Sequence, residues 1–108
     1  MKMYIGVREG VPDHMVPVVV AHAVLRHHTM HKQSYVLYDH WFHNSFKKCV
    51  VQISDRAWRH MKNMEGVVLS YENTVMDGDY CCATIVVTEE GVPNVFKFAP
   101  LWKPSKGE

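Results

Sequence analysis

The sequence predicts a small α/β domain, a mixed sheet of about four to five strands with helices packed on it, in one unit spanning residues 1–108. Three observations predict it. Short runs rich in β-branched and aromatic residues recur along the chain, at Tyr4 to Arg8, Cys49 to Ile53, Val67 to Tyr71 and Cys81 to Thr88. Between the first two lies a longer apolar segment whose spacing is helical. The chain has 108 residues and 47% hydrophobic side chains, enough for one core.

Taken in order, Tyr4 to Arg8 is the first strand, tied into the sheet almost from the first residue, and Glu9 to Asp13 turn the chain. His14 to His31 reads as a helix. Val16, Val19, Val20, Ala23, Val24 and His27 share one helical face, Asp13 is placed to cap it, and Pro17 falls in the first turn, where a missing N–H costs nothing. Five valines lower its intrinsic helicity, so it depends on tertiary burial. A strand over Val16 to Val20 is the alternative.

Thr29 to Lys48 supports two readings. Tyr35 to Tyr38 fits a short strand or a helical turn. Asp39 to Phe46 fits a second short helix packed on the first, or a functional loop. Cys49 to Ile53 is a strand. Ser54 or Asp55 then caps a helix of about ten residues with Ala57, Trp58, Met61 and Met64 on its apolar side and Gly66 at its end. Val67 to Tyr71 is the next strand, Glu72 to Asp79 a loop, and Cys81 to Thr88 a further strand. Glu89 to Gly91 turn the chain, and Val92 to Phe98 is expected to return as a hairpin partner. Pro100 and Pro104 bracket a surface tail.

Lys and Arg number 12 against 11 Asp and Glu, a formal net charge of +1, so composition demands no nucleic-acid partner. The three cysteines, Cys49, Cys81 and Cys82, are an odd number and do not suit a paired secreted framework. The N-terminus has no long apolar stretch or small-residue cleavage site, and Val16 to Leu25 is far short of the roughly 20 residues of a membrane span. A cytoplasmic chain with no membrane contact is expected. Phosphate-loop, dinucleotide, G-x-S-x-G and H-E-x-x-H patterns are missing from the sequence, so no cofactor is expected.

Two runs carry a resemblance. MKMYIGVREG followed by VPVVVAHAVL is similar to the start of the peptidyl-tRNA hydrolase II family, in which a strand ends near an arginine and a helix bears a small-residue-His-Ala signature, here Ala21, His22 and Ala23. KKCVVQISDRAWRHM resembles that family's central strand and following helix, and ATIVVTEEGVPNVFKFAPLW its last elements. The resemblance implies a hydrolase-II-like fold and a ligand that bears phosphate, a nucleotide or a tRNA end. It also implies, in the enzyme reading, cleavage of the ester joining peptide to tRNA. Departures are visible. The loop before the helix, Val11 to Val16, has no lysine. The position three residues before the histidine, a glutamine in the family, is Val19. The nearest match to the family's late glycine-threonine-rich loop is Asn73 to Asp79.

The residues expected to carry chemistry are His22, Arg8, His14 and Asp77 as catalytic groups, with Arg8, Trp41 and His43 binding the ligand. Arg8 ends a strand, where sites in α/β domains gather, and its planar fork suits phosphate. Against this, the plainer reading of His22 is a core histidine with a hydrogen-bond partner, and that of Asp77 and Asp79 solvated turn residues. His27 and His31 share a helix face and could chelate a metal with Asp39, His40 or His43, but histidines near a helix C-terminus are favourable without one, and no metal is expected. A Cys–His nucleophile pair competes with inert buried thiols. Tyr38, Trp41, Phe42 and Phe46, with Tyr35, form the densest aromatic patch. About half of it is expected to be buried, and the rest could face a protein partner or a second copy of the chain.

Overall fold

A computed structural model describes residues 1–30 and 35–105. Its elements are β1 (Lys2–Arg8), α1 (Val16–Met30), α2 (Tyr35–His43), β2 (Lys47–Ile53), α3 (Asp55–Trp58), β3 (Val68–Tyr71), β4 (Tyr80–Val87) and α4 (Asn94–Lys97). Single 3₁₀ turns lie at Asp13–Met15, Met76–Gly78 and Glu89–Gly91. The strands form one mixed sheet in the order β2-β1-β4-β3. β1 runs parallel to β2, with Lys2 opposite Lys47 and Arg8 opposite Ile53, and β4 is antiparallel to both β1 and β3.

Side chains alternate across the sheet, so each strand serves two layers. Met3, Ile5 and Val7 of β1 pack with Val16, Val19 and Ala23 of α1 and with Tyr38 and Trp41 of α2. On the opposite face Val51, Ile53, Ala83, Ile85 and Val87 pack with Trp58, Met61 and Phe96. Gly6 faces this second layer. A Cβ there would stand 2.7 Å from Ile53 Cγ1 and 3.1 Å from Phe96 Cε1, so the close approach of Phe96 to the sheet requires glycine.

The Thr29 to Lys48 segment contains a second short helix, α2, which resolves the choice against the strand and the loop. His31 lies outside the described residues. Three expectations are corrected. Val92 to Phe98 is not a hairpin partner, because β4 already pairs with β1 on one edge and β3 on the other and has no free edge to offer. The segment folds instead as α4 and buries Phe96. The tail then closes the outer edge of β2: Leu101 bridges Val51, Gln52 N–H donates to Pro100 O at 2.9 Å, and Trp102 N–H donates to Val50 O at 2.9 Å.

The helix after β2 spans four residues, not about ten. Ser54 does cap it, its Oγ accepting from Ala57 N–H at 3.1 Å. Beyond Trp58 the chain continues through tighter turns, with Met61 N–H donating to Trp58 O at 3.0 Å and Met64 N–H to Met61 O at 3.2 Å. These turns let Trp58 and Met61 both reach the core. Asp13 does not cap α1. Pro12 stands at the start of the 3₁₀ turn, and the Asp13 carboxylate accepts from Ser105 N–H at 2.7 Å, fastening the tail. Among the described residues no helix is long and apolar enough to cross a membrane.

Gly6→Ala is expected to lower unfolding stability by about 1–3 kcal/mol, the cost of forcing a methyl into a packed layer, as read from urea midpoints. An unchanged midpoint would mean that Ile53 moves aside freely.

Candidate functional site

The last residue of β1 is Arg8, and the structure surrounds it with acceptors. Its Nε donates to Asp55 Oδ1 at 3.1 Å, and its Nη1 donates to Asp79 Oδ2 at 3.2 Å and to Tyr80 O at 3.1 Å. The guanidinium also lies over the Trp58 ring, 5.4 Å from its centroid. Desolvation opposes the charge, but the hydrogen bonds and attraction of Asp55 and Asp79 outweigh it and raise the Arg8 pKa further. Glu9 adds a carboxylate whose Oε1 accepts from Asp55 N–H at 3.0 Å. Arg8 therefore ties the ends of β1 and β4 to the start of α3. A cleft of about 540 Å³ opens beside it, and there Arg8 and Lys103 face Glu9 and Asp13. Two cations against two acids, with one cation held by three acceptors, give this cleft little net pull on a phosphate.

His22 is not the core histidine. Its side chain is 51% exposed, and its Nδ1 lies 3.5 Å from Glu72 Oε2, the first residue after β3. The other Glu72 oxygen accepts from Thr74 Oγ at 3.5 Å. The core position belongs to His27, fully buried, with Nδ1 2.7 Å from Thr84 Oγ1 and its ring stacked on Tyr38 at 5.3 Å. Arg26 lies one turn beyond His22, at the i, i+4 spacing that shares a helix face. Its Nε donates to Leu69 O at 3.0 Å, and its guanidinium lies 6.0 Å from the Tyr71 ring centroid. An imidazole steadied by a carboxylate, with a guanidinium a turn away, is thus built where α1 crosses the end of β3. A carboxylate beside one ring nitrogen leaves the other, Nε2, as the atom that could take a proton from a substrate or water.

The other sequence candidates are spread apart. His14 is exposed on the turn before α1. Asp77 is exposed and sits in a run of left-handed residues, Met76 (φ 51°), Asp77 (φ 54°) and Gly78 (φ 79°). Two of the three are not glycine, so the β3–β4 loop holds strain, a feature that collects at functional loops. His43 pairs with Asp39, its Nε2 3.5 Å from Asp39 Oδ1. Trp41 is 1% exposed and its Nε1–H donates to Lys47 O at 2.8 Å, so its ring forms a wall and offers no open face for stacking. Tyr38 is buried as well, whereas Phe42 and Phe46 are partly exposed.

Burial pushes the thiols of Cys49, Cys81 and Cys82 up, which keeps them protonated and poorly nucleophilic. Among the described residues no group of three or more His, Cys, Asp or Glu side chains is arranged to hold a metal. Glu72 and Arg26 are the functional candidates that sequence reasoning passed over. Arg26 could have been found by its spacing from His22. Glu72 could not, since nothing in the sequence says that the end of β3 lies beside α1.

No family model and no curated protein matches this chain.

Asp79 supplies a pH test. Its carboxyl is held below the usual carboxylate range by Tyr80 N–H, which donates to Oδ1 at 2.7 Å, and by Arg8. The stabilisation it contributes is present above the unfolded-state carboxylate pKa and is lost as pH falls through the lower folded value. Thermal melts across the acid range should therefore show Asp79→Asn less stable at neutral pH, with the difference from wild type shrinking in acid. Parallel curves for the two proteins would show that the carboxylate does no such work.

Proposed function

We propose that this chain is a divergent peptidyl-tRNA hydrolase II-like domain that takes a phosphate-bearing RNA end and cleaves the ester between peptide and tRNA. The observation that carries the reading is the His22–Glu72 pair at 3.5 Å on the face that also bears Arg26. The Ala21-His22-Ala23 signature and the order of elements support it from the sequence side.

In this reading a water molecule attacks the ester carbonyl while His22 takes its proton, and Glu72 steadies the imidazolium that forms. The carbon–oxygen bond to the ribose then breaks, and the proton returns to the departing ribose oxygen, leaving a free peptide acid and a free tRNA hydroxyl. Arg26 is the cation placed to hold a backbone phosphate, since a guanidinium has five N–H groups and one is given to Leu69 O. Arg8 has a positioning role, holding together the strand ends that carry the β3–β4 loop.

A second reading draws on Val19. The position that carries glutamine in the family is here a core valine, 1% exposed, and it can offer a substrate no hydrogen bond. This favours a domain that binds a nucleotide or RNA end without cleaving it.

Single-turnover hydrolysis of purified peptidyl-tRNA separates the two. Under the enzyme reading, His22→Gln lowers the rate by roughly 10²–10⁴-fold, Glu72→Gln lowers it less, and Arg26→Ala raises KM with little change in kcat. Wild-type turnover untouched by His22→Gln would remove His22 as the base. Tight tRNA binding without peptide release would select the second reading.

A further inference from the structure

Helix α1 is more apolar than its own fold requires. No Asp, Glu, Lys or Arg occurs from Val16 to Leu25. One face, Val16, Val19, Ala23 and His27, is buried against the sheet. A second strip, Val20, Val24 and Leu25, lines an open trough of about 760 Å³ whose floor includes Ile5 and Val50. Leu25 is 67% exposed there, and Phe46, at 49%, lines the same trough. Surface helices normally turn polar residues away from the core, and contiguous exposed apolar ground of this kind marks an interaction site.

The geometry of the layers explains why the ground is open. α1 packs on β3, β4 and β1, and α2 sets Tyr38 and Trp41 against the same face of β1, so the ground left open between them among the described residues is the strip of β2 that carries Lys48 and Val50. Lys48 of β2 lines the trough and no acidic residue does. Its Nζ donates to Phe46 O at 2.8 Å and sits 3.2 Å from the Phe46 ring centroid, so the ammonium is held in place with donors to spare.

We propose that this trough docks an amphipathic helix of a partner protein, one with an apolar stripe flanked by carboxylates. The occupant lies along the open strip of β2 between α1 and Phe46 and sets a carboxylate against Lys48. A small ligand suits the trough less well, because pockets that hold one bury most of its surface, whereas a helix keeps its far side in water by design. A second copy of this chain, meeting it trough to trough, suits it less well too, since the lining it brings holds no carboxylate for Lys48.

The test uses the intact chain and two labelled peptides of about 15 residues, the length at which an isolated helix becomes marginally stable. Both carry leucine at i, i+3, i+4 and i+7. One has glutamate on the flanks and the other lysine. Fluorescence anisotropy should show binding of the glutamate peptide in preference to the lysine peptide. Leu25→Glu should weaken it by roughly tenfold or more, and Lys48→Glu should reverse the preference between peptides. Both positions are exposed, so circular dichroism and melting are expected to stay as in wild type and to certify the fold. No binding of the glutamate peptide at up to about 1 mM, or equal binding by Leu25→Glu, overturns the proposal. A wild-type dimer that Leu25→Glu splits into monomers overturns it as well, by assigning the trough to a second copy.

Discussion

β1 has to satisfy four boundaries at once. It hydrogen-bonds to β2 on one edge and β4 on the other, and it packs against α1 on one face and Phe96 on the other. A strand with no free edge and no wet face must be apolar, regular and small wherever a neighbour approaches closely, and Gly6 meets that last demand. The rest of the structure follows from this placement. α1 leaves from the end of β1 and must lie back across β4 and β3. β2 becomes an outer strand whose remaining edge is closed by Leu101 and its neighbours. β4 is saturated on both sides, which is why the chain after it turns into α4.

The same placement divides the charged groups into two sets. Arg8 emerges at the end of β1 on the α3 side and is taken up by Asp55 and Asp79, so the cation that strand position suggested for a ligand is also a structural tie. On the other side of the sheet end, α1 brings His22 and Arg26 to the residues that leave β3. The proposed chemistry thus draws on a helix–loop junction. Strain in the β3–β4 loop, through the left-handed Met76 and Asp77, sits in the same connection as Glu72. Backbone strain is tolerated only where the surrounding packing, here around the buried Val75, determines the fold of the loop.

The aromatic segment divides along similar lines. Helical geometry sends Tyr38 and Trp41 into the core and leaves Phe42 beside them at the surface, where Phe46, turned by its positive φ, joins it. Buried members supply much of the volume a small core needs. Exposed members, together with the second apolar strip of α1, create a surface that its own chain does not cover. One short segment therefore both completes the fold and leaves apolar side chains at its surface.

Much of the architecture was legible from local sequence. The four strands, α1 and the Ser54 cap came from β-branched runs, helical spacing and a capping side chain, all of which act over a few residues and need no partner to be recognised. His22 was legible as a candidate through its motif. What the sequence by itself determined was the placement of the four strands and of α1, and the side chains of theirs that must leave water. Tertiary structure alone decided three further things. The pairing order of the strands removed the expected hairpin, because edge availability depends on every other strand. The closeness of Asp55 and Asp79 to Arg8 joined residues 47 and 71 positions apart and made a candidate ligand group a clamp as well. The meeting of His22 with Glu72, fifty positions away in the chain, set a carboxylate beside a lone histidine. Each depends on long-range contact, and a single sequence encodes such contacts only through the packing of the whole.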